Sequence, residues 1–185
     1  MAPQLIFGTA SFGMDMTEFQ DAESVQELLG TLKELGISRL DSAARYPPMN
    51  PGRSEELIGE AQKLSSGFQI DTKVYTDTQT DGSGDLSVEA VEKSVGDSLK
   101  RLQKSGGVSC RILISDAGSL LTDNQIHILH AHRGDPSTPL EEQILAFNEQ
   151  ITRGHCTAVS PHASVPLLPT PSLIHSPVGC VQHVY

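Results

Sequence analysis

Apolar residues recur along this chain in two alternating rhythms, one short and one helical. Leu5, Ile6 and Phe7 form a brief apolar run that predicts a strand, and Gly8 and Gly13 after it permit tight turns. Val25, Leu28, Leu29, Leu32 and Leu35 then follow the i, i+3, i+4, i+7 spacing of one helical face, with Gly36 placed as the glycine that ends the helix. Residues 37–43 are apolar at alternate positions and predict a second strand. Beyond the rigid PPMNPG loop, Leu57, Ile58, Ala61 and Leu64 share a helical face, and Ser54 stands where an N-cap belongs. Residues 68–74 alternate, with Phe68, Ile70 and Val74 in one phase and Gln69, Asp71 and Lys73 in the other, which is a strand with one polar face. Ser87 opens a further helix along which Val88, Val91, Val95, Leu99 and Leu102 align.

Strands separated by helices of this size imply crossover units and a parallel sheet. Right-handed crossovers leave an open doubly wound sheet or a β/α barrel. The rhythm breaks at residues 104–123, where some twenty residues stand in place of a short connection, so this stretch reads as an insertion. A fourth strand follows over 126–132. Thr138, Pro139 and Glu141 have the spacing of a capping box with proline at the first helical position, ahead of an apolar face of Leu140, Ile144, Phe147 and Ile151. From Ser160 onward the chain is proline-rich and without period. The expected organisation is one α/β unit over 1–159, with an irregular or disordered tail over 160–185. An ordered tail that covers an open sheet edge is the alternative.

The 185 residues suffice for one domain. They fall short of the roughly 250 that a complete eight-unit barrel takes. With 13 Lys and Arg against 23 Asp and Glu, the net charge is -10. That balance argues against a nucleic-acid or anionic-membrane partner, because no broad positive field exists to hold phosphates. Cys110, Cys156 and Cys180 are too widely spaced for a zinc or disulfide framework. The first residues lack the basic and apolar regions of a secretory signal, and no run is long enough to span a membrane, so a reducing, cytoplasmic location is expected.

Four chemically capable residues lie near predicted strand ends: Asp41, Lys73 and His132, with Tyr46 on the loop just beyond Asp41. In a parallel β/α arrangement the carboxyl ends of the strands form the active-site face, so the four are expected to converge. A free phenol is a weak acid near pH 7, and a neighbouring ammonium favours its ionised form. Asp41 would hold Lys73, and His132 would donate to a substrate oxygen. Such a set suits protonation of an oxyanion as a carbonyl is reduced. Taken singly, each residue is more simply a cap, a packing ring or a surface charge. Strand alternation places His127 on the face opposite His130 and His132, so no metal site is expected.

The combination is similar to the aldo/keto reductase family, and within it to the fungal, aflatoxin-aldehyde-reductase-like group. The resemblance rests on FGTASFG, LDSAARYP, SEELIGEA, DTKV and SVGDSLKRL, and resumes in ILHAHRGDPSTPLEEQILAFNEQ. It implies a parallel β/α (TIM) barrel, incomplete, with about four of eight units, truncated to the amino-terminal half. It also implies NADPH-dependent reduction of an aldehyde or ketone on a small molecule, in fungal secondary metabolism. In that scheme Tyr46 is the proton donor, Lys73 and Asp41 tune it, and His132 orients the carbonyl. Asp41 also lies beside the cofactor ribose, and no G-x-G-x-x-G fingerprint is expected or present. The alternative is a truncated, catalytically inactive relative. Four parallel strands leave two unpaired edges and an inner face, expected to be apolar, without its opposing half; a homodimer would cover them.

Overall fold

The computed structural model describes residues 4–106, 112–114, 120–122 and 124–160. Its centre is a five-stranded parallel sheet of β1 (Phe7–Gly8), β2 (Arg39–Asp41), β3 (Gln69–Lys73), β6 (Ile126–His130) and β7 (Cys156–Ser160), in that spatial order. Helices α1 (Ala22–Glu34), α2 (Arg53–Glu60), α3 (Gln62–Ser65), α4 (Val88–Arg101) and α5 (Leu140–Thr152) make the crossovers. A short antiparallel pair, β4 (Ile112–Ile114) and β5 (Leu120–Thr122), forms a separate hairpin between α4 and β6.

The sheet strands run in sequence order without a switch point, which selects the barrel from the two topologies open at the outset. A doubly wound sheet reverses direction and places helices on both faces. Here successive helices pack on one another and on one side of the sheet. Leu40, Ile70, Ile126 and Leu129 of the sheet meet Val25, Leu29, Leu57, Ile58, Val91, Val95 and Phe147 of the helices in one core.

The sheet's other face differs from expectation. In register, Asp41 stands beside Asp71 and Lys73 beside His130, so the inward face of the barrel arc is charged rather than apolar. Arg39 and Asp71 lie on it and are nonetheless buried. Arg39 donates to Asp71 Oδ2 at 2.6 Å, and His127 Nδ1 lies 2.7 Å from Asp71 Oδ1. Burial pushes the Asp71 carboxyl up, but the His127 bond and the Arg39 charge outweigh it and hold the group below the ordinary carboxylate range. His127 and His130 both reach this face. Strict alternation fails because Ile126 and Leu129, three apart, both enter the core.

Several elements depart from the sequence pattern. The parallel sheet has five strands among the described residues, not four: Cys156–Ser160 was hidden by its small and polar side chains. The first strand is Phe7–Gly8, while Leu5 and Ile6 are exposed. α1 has its Asp21 cap, the buried stripe Val25, Leu29 and Leu32, and a left-handed Gly36 at φ 76°, but Leu35 is exposed at its end. Ser54 does not cap α2; the N-cap is left-handed Gly52, and Ser54 is fully buried inside the first turn. α4 matches expectation, with Ser87 accepting from the Ala90 amide as its cap.

The capping box at α5 does not form. Asp135 takes the Thr138 hydroxyl at 2.6 Å, so Thr138 cannot cap, and Pro139 occupies the N-cap. The buried stripe of α5 is Ala146, Phe147 and Gln150, whereas Leu140 and Ile144 are exposed. The 104–123 stretch, read as an insertion, contains the β4–β5 pair; most of its residues and all of 161–185 lie outside the described residues. No helix among the described residues is long and apolar enough to cross a membrane.

Candidate active site

The carboxyl ends of β2 and β3 bring Asp41 and Lys73 side by side, because the parallel register sets Asp41 opposite Asp71, two residues before Lys73. Lys73 Nζ donates to Asp41 Oδ1 at 2.7 Å, to Asp41 Oδ2 at 2.8 Å and to the Ser42 carbonyl at 2.8 Å. All three ammonium protons are thus directed, and the side chain is fixed. Its Nζ lies 5.0 Å from the centroid of the Tyr46 ring. That distance is within reach of a cation–π attraction.

Tyr46 is brought over the lysine by the loop that leaves β2. The Ala44 amide donates to the Lys73 carbonyl at 3.1 Å, which carries the chain across the end of β3. The Tyr46 amide then closes a turn on the Ala43 carbonyl at 3.0 Å, and the Tyr46–Pro47 bond is cis. From β6 the chain continues two residues to His132, whose ring meets that of Tyr46 edge-on, 5.7 Å between centroids at 89°. All four residues expected to converge therefore do so. Burial and the Lys73 and Arg45 charges depress the His132 imidazole below its ordinary range, which keeps it neutral near pH 7. Its Nδ1 is buried without a hydrogen-bond partner among the described residues. An orphaned polar atom at the end of a sheet is a place for a ligand atom.

Two groups escaped the sequence reading. The Ser42 carbonyl, a backbone atom, completes the lysine's cradle and has no side-chain signature. His130 sits beside Lys73 in register, with its imidazole depressed by burial; strand register was the signal that would have found it. No metal-binding group of His, Cys, Asp and Glu occurs among the described residues. A separate cleft of about 310 Å³ lies between Ala44 and Pro51 of the tyrosine loop, Tyr75 and α4; its lining includes Arg101 but none of Asp41, Tyr46, Lys73 and His132.

The fold agrees with the comparisons to known proteins. Probable voltage-gated potassium channel β subunits of Arabidopsis thaliana and Oryza sativa are 27% and 26% identical over 79% and 82% of this chain, and 40% of each relative is covered. Versiconal hemiacetal acetate reductase of Aspergillus parasiticus is 31% identical over 64% of the chain and 34% of its own length. The chain thus spans about two fifths or less of the curated relatives it matches. Among solved structures, an aldo-keto reductase of Bacillus halodurans in its holo form is similar with a TM-score of 0.60 and 26% identity, covering 85% of this chain and 46% of that one. A thermostable aldo-keto reductase solved with the inhibitor epalrestat shares the fold at 24% identity, with a TM-score of 0.62 over 86% of this chain and 49% of the other. The Aldo/keto reductase family profile matches residues 4–106, more than half of the 185 residues, and the chain belongs to that family.

Proposed function

We propose that Asp41, Tyr46, Lys73 and His132 form the proton-delivering site of an NADPH-dependent reductase acting on an aldehyde or ketone of a small molecule. The observation that carries this reading is the Lys73 ammonium, held by both oxygens of Asp41 and 5.0 Å from the Tyr46 ring centroid. Tyr46 gives its phenolic proton to the carbonyl oxygen as negative charge develops there. Lys73 stabilises the phenolate that remains, and Asp41 keeps Lys73 charged and aimed. The neutral His132 ring donates a hydrogen bond that orients the carbonyl. NADPH, when bound, supplies the hydride. Two features fit such a ligand: the Asp41 side chain is 36% exposed and retains free lone pairs for a ribose hydroxyl, and His132 Nδ1 is buried without a partner.

The similarity to versiconal hemiacetal acetate reductase supports a place in fungal secondary metabolism. In this reading residues 1–159 are one partial barrel domain, extended by Ser160 at the end of β7, and 161–185 lie outside it, in a reducing, cytoplasmic setting. The second reading is a catalytically silent relative that serves as a binding module. It is favoured by the two sheet edges, β1 and β7, that have no partner strand among the described residues, and by the resemblance to channel β subunits. A homodimer pairing these edges belongs to that reading.

Titration of the 185-residue chain with NADPH by fluorescence, with 4-nitrobenzaldehyde as substrate, separates the two. Slow turnover that vanishes in Tyr46→Phe with NADPH affinity retained supports the reductase. An equal loss of affinity makes Tyr46 a binding or packing residue, and absence of both binding and turnover favours the silent module.

A further inference from the structure

We propose that Ser54 and Glu55, in the first turn of α2, are positioning residues for this site: together they hold Tyr46 over Lys73. The inference rests on the reading of Tyr46 and Lys73 given above, but its geometry can be tested without turnover. Neither residue touches the reacting atoms. Both are fully buried in a helix turn where a polar side chain without partners would be costly, and every partner they find except Thr9 and Arg101 of α4 lies on a strand end or loop that carries a site residue.

Ser54 ties the tyrosine loop to two strands. Its amide donates to the Tyr46 carbonyl at 3.1 Å, alongside the Gly52 amide at 3.1 Å. Its hydroxyl donates to the Thr9 carbonyl at 2.9 Å and lies 2.9 Å from Thr9 Oγ1 and 3.3 Å from Ser42 Oγ. Thr9 in turn donates to the Asp41 carbonyl through its amide at 2.9 Å and its hydroxyl at 3.2 Å. Three fully buried hydroxyls therefore share their protons among the Thr9 and Asp41 carbonyls and one another. Ser42 is also the residue whose carbonyl receives Lys73 Nζ.

Glu55 anchors the same turn to the neighbouring strand. Oε1 accepts from Thr72 Oγ1 at 2.5 Å, one residue before Lys73, and Oε2 accepts from Arg101 of α4 at 2.8 Å. Arg101 neutralises the buried carboxylate, so the Thr72 bond is made to a charged acceptor, which strengthens it. Consecutive residues on a helix thus grip the end of β2 and the end of β3 at once. Beyond the Ala44 bond to the Lys73 carbonyl, the other backbone bonds of the tyrosine loop, Tyr46 to Ala43 and Asn50 to Pro47, are local. Ala44 ties the start of the loop to β3 and the His132 ring meets Tyr46 edge-on, but the Tyr46 carbonyl itself is held by the Gly52 and Ser54 amides of the α2 clamp. Displacement by about 1 Å is enough to cost about 100-fold in rate.

The test uses the full chain labelled for NMR. In the parent, cross-peaks are expected between the Tyr46 and His132 rings and between the Lys73 ε-methylene and the Tyr46 ring. Ser54→Ala should stay folded by circular dichroism yet lose the Tyr46–His132 cross-peak, and Ser54→Thr should restore it. Where turnover is measurable, Ser54→Ala should lower kcat about 100-fold with KM little changed. Thr72→Val cuts the Glu55 arm without touching a charge and should weaken the Lys73–Tyr46 cross-peak; it decides the matter if Ser54→Ala fails to fold. Retention of both cross-peaks in folded Ser54→Ala, or an unaltered Lys73–Tyr46 cross-peak in Thr72→Val where Ser54→Ala is unfolded, overturns the proposal. Absence of turnover in the parent counts against the reductase reading and leaves the cross-peak comparison standing.

Discussion

Replacing Asp71 by asparagine should cost this fold more than any surface change, and the size can be worked from its partners. The carboxylate receives Arg39 at 2.6 Å, His127 Nδ1 at 2.7 Å and the Ile128 amide at 3.2 Å, and its side chain is 3% exposed. The amide offers one oxygen where the carboxylate offers two, and its NH2 group faces a donor whichever way it turns. Arg39 is left buried with Gln4 at 3.2 Å as its remaining side-chain partner, and its Nε already lacks one. Removing one member of a buried pair costs about 3–5 kcal/mol, because the other charge stays desolvated and unpaired. Against a total stability of about 5–15 kcal/mol, that is a large fraction.

Equilibrium urea unfolding followed by far-UV circular dichroism should place the Asp71→Asn midpoint about 2 M below that of the parent. Exchanging both partners, as Arg39→Met with Asp71→Leu, should recover most of the loss, since well-packed apolar pairs commonly match a buried ion pair. Because the Asp71 carboxyl is depressed in the folded state, its contribution is fully present above the unfolded pKa of about 4. It fades as pH falls through the lower folded value, so the parent and Asp71→Asn should converge only in that acidic window. A single-variant loss below about 1 kcal/mol would refute the reasoning, as would a double variant no better than the single.

Two further outcomes follow from separate contacts. Lys73→Met removes one of the charges that depress His132, so the His132 imidazole should titrate at higher pH by NMR; an unmoved titration would mean that burial and the Arg45 and Arg133 charges account for the depression without Lys73. Gly59→Ala should destabilise although alanine favours helices, because its Cβ would meet the Arg101 carbonyl oxygen at 2.1 Å; a loss of about 1–3 kcal/mol, read as a Tm roughly 5 °C lower, is expected, and a rise in Tm would mean α2 and α4 separate freely.

How much of this was legible in the sequence depended on whether one element's own pattern sufficed. α1 and α4 were readable because cap and apolar stripe lie within each helix: Asp21 with Val25, Leu29 and Leu32, and Ser87 with Val91, Val95 and Leu99. β7 was not, since Cys156–Ser160 contributes little apolar surface and becomes a strand by pairing with β6. Thr138 had the local chemistry of a cap, but Asp135 also accepts from the Leu86, Ser137 and Thr138 amides and the Ser137 hydroxyl, and a carboxylate with five donors holds the Thr138 hydroxyl more firmly than a helix end does. Ser54 likewise had the residue type of a cap and a tertiary use instead.

That Asp41 and Lys73 share one face was legible because the period of a strand is two. Asp41 and Lys73 follow Arg39 and Asp71 by one period each, so the Asp41–Lys73 pair stands directly on a charge-neutralised layer of the same strands. The upper pair is half open, with Asp41 36% exposed, while the lower pair is nearly sealed at 11% and 3%. Desolvation therefore rises sharply over a single step down the barrel. Below, it demands full pairing, and Arg39, Asp71 and His127 provide most of it. Above, it is relaxed enough for a ligand to compete for Asp41, while the Ser42 carbonyl keeps Lys73 in place as it does so. A charged inward face is thus consistent with a stable arc of strands, because each charge is answered within the arc. An apolar face of the same strands would have needed the opposing strands to cover it.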